Sequence, residues 1–306
     1  MKDLASVASQ LITVRDYLRY AMSRFESAGL VYGHGTTNAL DEAAFLILEG
    51  LSLPIDQLDP FLDARLLLSE RERLVELIEA RVITRKPASY LLGKAYVKGI
   101  PFHVDERVIV PRSFIGELLF SDVLMGAEGL IQEPEQLSNV LDLCTGSGCL
   151  AILAARVFPN ANIDAVDLSK DALAIAGRNV EESPDSDRIQ LFQGNLFEPL
   201  KGKRYDLIIT NPPYVSQEVM QSLPPEYAHE PKMALAGGED GLDIVRVILQ
   251  QAPLYLTSQG GLICEIGEDR DILEAEFPSL PFIWLDTEES SGEVFWLAAQ
   301  DFPKIK

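Results

Sequence analysis

The run Asp206-Leu207-Ile208-Ile209-Thr210 reads as an apolar strand and passes directly into Asn211-Pro212-Pro213-Tyr214. Consecutive prolines fix the backbone and remove two N–H donors, leaving carbonyls free to accept hydrogen bonds. Such a turn suits a planar amide or aromatic amine, whose nitrogen is a poor nucleophile because its lone pair is delocalised. If the Asn211 side-chain oxygen and the Pro212 carbonyl hold both hydrogens, the nitrogen can be aimed at an electrophilic carbon. Tyr214 can pack against the planar group and fix its orientation. Alignment of this kind contributes roughly 7–11 kcal/mol to such reactions and needs no strong general base. The bland alternative, a stiffened turn around a buried tyrosine, loses ground because a glycine loop lies upstream at a matching strand spacing.

That loop is Asp142-Leu143-Cys144-Thr145-Gly146-Ser147-Gly148, at the end of a strand and before a helix. Its glycines allow close backbone approach to a ligand, and the helix start offers unpaired N–H donors. Asp167 ends the next strand, where a carboxylate can accept from ribose hydroxyls. Two cofactors fit. Gly146 to Ala151 satisfies G-x-G-x-x-A, the dinucleotide fingerprint of nicotinamide oxidoreductases. S-adenosylmethionine carries an ammonium, a carboxylate and a sulfonium but no phosphate. Asp142 can help receive that ammonium, and Thr145 with the loop amides suits the carboxylate. A pyrophosphate would be repelled by an unpaired Asp142, so the loop favours S-adenosylmethionine, and Asn211-Pro212-Pro213-Tyr214 strengthens that choice.

The elements that must position these residues follow from hydrophobic period. From Leu4 to about Arg85, apolar residues recur at helical spacing, as in Leu11, Val14, Leu18 and Met22, and again in Leu74, Leu77, Ile78 and Val82. Residues 1–86 are thus expected to form a small helical domain, with Asp41 and Asp63 near helix starts. Residues 87–111 are expected to form a β-hairpin bridge, with Val97, Ile100, Phe102, Val104, Val108 and Val110 strand-like and turns at Gly99-Ile100-Pro101 and Asp105-Glu106. A helix should begin near Ser113. From residue 112 onward, strands alternate with helices, the signature of a parallel α/β sheet. Candidate strands are 139–144, 161–167, 188–193, 205–210, 261–267, 281–286 and 293–299. Candidate helices fall near 148–158, 170–181, 240–252 and 269–277. The expected fold class is α/β, a seven-stranded doubly wound sheet, and its ligands should gather at the carboxyl ends of the strands.

Composition sets outer limits. The formal charge of −21 repels phosphate backbones and attracts cationic partners, which makes naked nucleic acid an unfavourable substrate. No stretch is long and apolar enough to read as a membrane span, and Met1-Lys2-Asp3-Leu4 lacks a signal-peptide layout. Cys144, Cys149 and Cys264 form no close pair, which suggests free thiols in a reducing cytoplasm and no metal site.

Taken together, these motifs resemble the HemK-like protein-glutamine methyltransferases. The resemblance covers most of the chain, including Pro87 to Gly93, Phe102-His103-Val104, Val110-Pro111-Arg112, His229-Glu230-Pro231 and Gly237 to Leu242. It implies a helical N-terminal domain, which would serve for substrate docking, a β-hairpin and a Rossmann-like class I methyltransferase domain. It also implies S-adenosylmethionine as cofactor and a glutamine side chain as methyl acceptor. One branch of the family acts on the Gly-Gly-Gln loop of peptide release factors and tends to carry P-R-P-x-T-E. The other acts on large-subunit ribosomal protein L-three and carries P-R-S-x-I-x-E. Pro111-Arg112-Ser113-Phe114-Ile115-Gly116-Glu117 is similar to the second, and a basic ribosomal protein suits an acidic enzyme. Enzymes that methylate DNA adenine share the Asn-Pro-Pro-Tyr type of motif but need a basic path for phosphates, against which 47 acidic and 26 basic residues weigh. Where the family commonly has an Asp accepting from the adenine amine, this chain has Asn195, which accepts without charge.

Other residues carry smaller expectations. Phe197 packs either on adenine or in the core. Arg112 either orients the loop around the site or pairs structurally with Glu117, and the structural role is favoured. His229 is expected to be a satisfied surface or hinge residue, and His34 and His103 to do no chemistry. Pro231 with Gly237-Gly238 suggests either a mobile segment able to close over a substrate or an ordinary loop.

Overall fold

The computed structural model describes residues 4–287 and 290–303. Met1-Lys2-Asp3, at the start of the expected 1–86 range, and 304–306, at the end of the expected 112–306 range, lie outside the described residues. In chain order the helices are α1 (Leu4–Gln10), α2 (Val14–Ala28), α3 (Ala39–Gly50), α4 (Leu68–Thr84), α5 (Ala88–Leu92), α6 (Ile115–Leu118), α7 (Cys149–Val157), α8 (Lys170–Glu182), α9 (Gln217–Ser222), α10 (Asp243–Gln251) and α11 (Arg270–Glu276). The strands are β1 (Lys94–Val97), β2 (Ile100–His103), β3 (Asn139–Leu143), β4 (Asn162–Asp167), β5 (Ile189–Gln193), β6 (Tyr205–Thr210), β7 (Leu256–Glu265), β8 (Ile283–Asp286) and β9 (Ser291–Ala298). Among the described residues no helix is long and apolar enough to cross a membrane.

The chain divides into two compact units. The first comprises the chain up to Ala95 together with Val104–Glu106 and Pro224–His229; the second comprises the remainder. In the first, α2 starts where Thr13 and Asp16 cap each other reciprocally, and α3 starts at Asn38, whose side chain accepts from the Asp41 amide. Val14, Tyr17, Ala21 and Phe25 of α2 bury against Ala43, Leu46 and Ile47 of α3 and Leu74 and Ile78 of α4. The expected start near Asp63 is not a helix start; α4 begins five residues later, and Asp63 pairs with Arg15.

Pro224–His229 belongs to this helical unit because its side chains are spent there. The fully buried Glu226 accepts from the Val31 amide and the Arg85 guanidinium, both at 3.1 Å, and lies beside buried Arg81, which also pairs with Glu42. His229 bonds Glu106 at 2.8 Å and the Thr84 carbonyl at 2.9 Å, so it is a satisfied histidine, as expected.

Strands β1 and β2 pair as a two-stranded sheet. Ala88–Leu92, expected within the bridge, is instead a helical turn closed by Gly93 in the left-handed region. Ile100 and Pro101 lie within β2, the turn falling at Lys98-Gly99, where both residues have positive φ. Val108 and Val110 are buried but lie outside any strand.

The second unit is built on a seven-stranded sheet in the order β5-β4-β3-β6-β7-β9-β8. Central strands carry near-continuous apolar runs because both faces are covered. Val140, Leu207, Ile209 and Ile263 face a core containing α7, while Leu141, Leu143, Ile208 and Leu262 face one containing Val245 and Ile248 of α10. All six expected regions from 139 to 286 hold strands within a few residues of their expected ends, except that β7 starts earlier, at Leu256. The sheet is mixed rather than parallel, since β9 runs antiparallel to both β7 and β8. The sequence between β8 and β9 is too short for a crossover, so the two must pair as a hairpin. The strand order reverses direction between β3 and β6, and a doubly wound sheet offers its ligand crevice at the carboxyl ends there.

Candidate functional site

At the carboxyl end of β3 the chain turns sharply, with Cys144 at φ 58°, Gly146 at 56° and Gly148 at 79°. Glycine suits position 148 because its φ of 79° lies in the left-handed region, and an added Cβ would also sit tightly, 3.3 Å from Ala176 of α8. Asp142 is buried. Its Oδ2 accepts from Thr145 Oγ1 at 2.5 Å, while its Oδ1 has no hydrogen-bond partner among the described residues. Burial pushes its carboxyl up to about 7. An orphaned buried carboxylate oxygen costs stability unless a donor reaches it, and a ligand ammonium is such a donor.

Asp167 closes the loop from the side. Its Oδ2 accepts from the Gly146 amide and its Oδ1 from the Ser169 amide, both at 2.8 Å. It therefore shapes the glycine turn, with lone pairs left for hydroxyl donors. Desolvation holds its carboxyl above the usual range despite these bonds. Ser147 is buried, and its carbonyl takes the side chain of Asn179 at 2.8 Å. Asn179, on α8, also brackets the backbone of His103 with bonds of 2.7 and 3.1 Å. It was not foreseen, since one Asn inside an amphipathic helix carries no local signal.

Beyond β5, the Gly194 amide donates to the Asp167 carbonyl at 3.1 Å, which brings exposed Asn195 next to Asp167. Phe197 is fully buried and stacks on Tyr255 at 4.6 Å, so it belongs to the core.

Strand β6 pairs with β3 in the register Leu143 to Thr210, and Thr210 Oγ1 donates to the Leu143 carbonyl at 3.0 Å. That register sets Asn211 beside the glycine loop. Asn211 is half-buried, and its carboxamide makes no hydrogen bond to the described residues. Pro212 is buried and Pro213 half-buried behind it. The Tyr214 hydroxyl donates to Glu265 Oε1 at 3.0 Å, and burial raises its phenol well above the ordinary value.

Glu265 ends β7, where Thr210 pairs with Cys264, and is itself buried. Its Oε2 accepts from Ser113 Oγ at 2.6 Å and the Phe114 amide at 2.9 Å. Burial pushes this carboxyl up to about 7. Arg112 makes a two-pronged pair with fully buried Glu230 at 2.6 and 2.8 Å, a partner not expected from the sequence, and Glu230 also takes the Val110 amide.

The segment after α9 packs behind the prolines. Val215 bonds Leu235 and Gly237 through their backbones. A Cβ at Gly237 would lie 2.7 Å from Tyr214 Cα, and one at Gly241, with φ 83°, 2.3 Å from the Tyr214 carbonyl oxygen. These glycines permit backbone to lie on backbone. Gly237 and Gly241 therefore serve as a clamp on the turn.

A family model described as "Methyltransferase small domain" matches residues 121–227. The chain is 57% identical over 296 residues to the ribosomal protein uL3 glutamine methyltransferase of Bradyrhizobium diazoefficiens, covering 95% of this chain and 92% of the relative. It is 55% identical to the protein of the same name from Bordetella pertussis, over 95% and 96% of the two chains. The Neisseria meningitidis protein is 53% identical over 96% and 95%. A solved methyltransferase from Pyrococcus furiosus aligns with a TM-score of 0.49 at 15% identity, over 72% of this chain and 97% of that one. Identity above one half over nearly the whole of both chains leaves one conclusion: this chain belongs to the ribosomal protein uL3 glutamine methyltransferase family.

Proposed function

We propose that the chain transfers a methyl group from S-adenosylmethionine to the side-chain amide nitrogen of a glutamine in ribosomal protein uL3, the large-subunit protein L-three. The observation that supports this most is the β3–β6 register, which ends β6 alongside the glycine loop, so that Asn211 leaves its strand next to the turn where Asp142 keeps one buried oxygen without a partner. Asp142 Oδ1 would take the cofactor's ammonium, the Ser147 amide its carboxylate, Asp167 its ribose, and Asn195 its adenine, while Thr145 and the amides of Gly146 and Gly148, bonded to Asp142, Asp167 and the Thr145 carbonyl, hold the loop in shape around it. The bound cofactor supplies a sulfonium-activated methyl group. Asn211 Oδ1 and the Pro212 carbonyl hold the two hydrogens of the acceptor amide, Pro213 keeps the turn rigid, and Tyr214 supports the planar group. Asn211 thus borders both the cofactor and the acceptor. The alkylated nitrogen is acidic enough to lose its proton to water, so the residues need only align it.

Incubation with radiolabelled S-adenosylmethionine and purified uL3 or purified release factor tests the acceptor. Label should enter uL3, and Asn211→Ala should lower its rate on the order of 100-fold while cofactor affinity stays within about threefold. Label in release factor alone ends the uL3 assignment.

A further inference from the structure

Tyr214 is the one side chain of the proline turn that is anchored to another strand, and its anchor is neither exposed nor local. Glu265 receives three donors: Ser113 Oγ, the Phe114 amide and the Tyr214 hydroxyl. The first two come from the segment entering α6 and the third from the turn after β6, so one carboxylate joins three parts of the sheet edge. Three donors on one carboxylate match an anion, because a protonated acid must turn one oxygen into a donor. We propose that Glu265, held by Ser113, is a positioning residue for methyl transfer: it sets the tilt of the Tyr214 ring and so the aim of the amide nitrogen resting on it. The proposal builds on the functional reading above, since it assigns a role at the same acceptor site.

The charged and titratable surroundings decide how this anchor responds to pH. Glu293 on β9 adds negative charge near Glu265, Cys264 precedes it on β7, Tyr214 faces it from the turn, and Arg112 lies on the approach to α6 and offers opposing charge to Tyr214. Burial and Glu293 both favour the protonated acid, so the anchor weakens toward acid pH within the neutral range. Turnover at saturating cofactor should therefore fall on the acid side of neutrality through loss of alignment.

The test measures kcat, KM for the acceptor and cofactor affinity from pH 6 to 8.5 for wild type, Glu265→Gln, Tyr214→Phe, the double variant and Ser113→Ala. The comparison uses whichever of uL3 or release factor wild type labels, so the acceptor assignment can fail without deciding this proposal. Glu265→Gln and Tyr214→Phe should each lower kcat roughly tenfold to a hundredfold, the loss expected from misaiming a reacting group. The double variant should lose little more than either single one, and the acid limb should flatten in Glu265→Gln. Ser113→Ala should shift that limb to higher pH, because the anion loses a donor. Losses that multiply in the double variant, or an acid limb unchanged in Glu265→Gln, would overturn the proposal.

Discussion

Asp142 shows how far one residue can be read before its surroundings are known. Its place before a glycine loop suggests ammonium recognition, and the structure adds that one oxygen is bonded to Thr145 while the other is buried without a partner. Its carboxyl stands near 7 in the folded chain against about 3.9 when unfolded. The folded state thus holds the proton more tightly, so this group's contribution to stability is complete below about pH 4 and is lost as pH rises through 7. The difference amounts to about 4 kcal/mol. A ligand ammonium favours the ionised form, so affinity for S-adenosylmethionine should rise several-fold between pH 6 and pH 8 in wild type and change little in Asp142→Asn. Calorimetric titration at the two pH values checks this; equal wild-type affinities would remove Asp142 from ammonium recognition. Without ligand, thermal melts of Asp142→Asn should show a shallower decline between about pH 4 and pH 7 than wild type, the remaining slope coming from carboxyls such as Glu265 and Asp167, which burial also raises.

Among the elements, the loop between α9 and α10 reads from its sequence as either a mobile segment or an ordinary loop. The structure adds that its glycines allow close packing against the Tyr214 backbone. Gly241→Ala puts a methyl group where the Tyr214 carbonyl oxygen sits and does so at a positive φ, so the loop or the turn must move. A cost of about 2–3 kcal/mol follows from strain and overpacking, which lowers the melting temperature by roughly 3–5 °C in a chain of this size. Turnover should fall more than cofactor affinity, because the displaced element is the turn proposed to hold the acceptor. A variant with unchanged melting temperature and kcat would show that the clamp has slack.

At the scale of the whole molecule the charge is unevenly spread. Residues 1–86 contain 13 acidic and 10 basic residues, whereas 87–306 contain 34 and 16. The negative field therefore arises mainly from the methyltransferase part, and a helical domain that docks substrate would have to do so by shape more than by net charge. A cationic acceptor drawn by this field should show KM rising several-fold between about 0.05 and 0.5 M salt, as the Debye length shrinks, with cofactor affinity nearly constant. Steady-state rates across that salt range are the check; a flat KM would mean that charge plays no part in substrate capture.

Spacing along the chain determined the strand–helix alternation, the glycine loop and the proline turn, because each is written within a few consecutive residues whose period or conformational limits act locally. It could not choose partners across the fold. Ser113 meets Glu265 across 152 positions and Arg112 meets Glu230 across 118. The placement of β9 between β7 and β8, the capture of Pro224–His229 by the helical unit, and the bracket made by Asn179 are likewise settled by packing. Buried carboxylates and amides must find hydrogen-bonding partners wherever the folded chain brings them, and only the tertiary structure decides which ones are near.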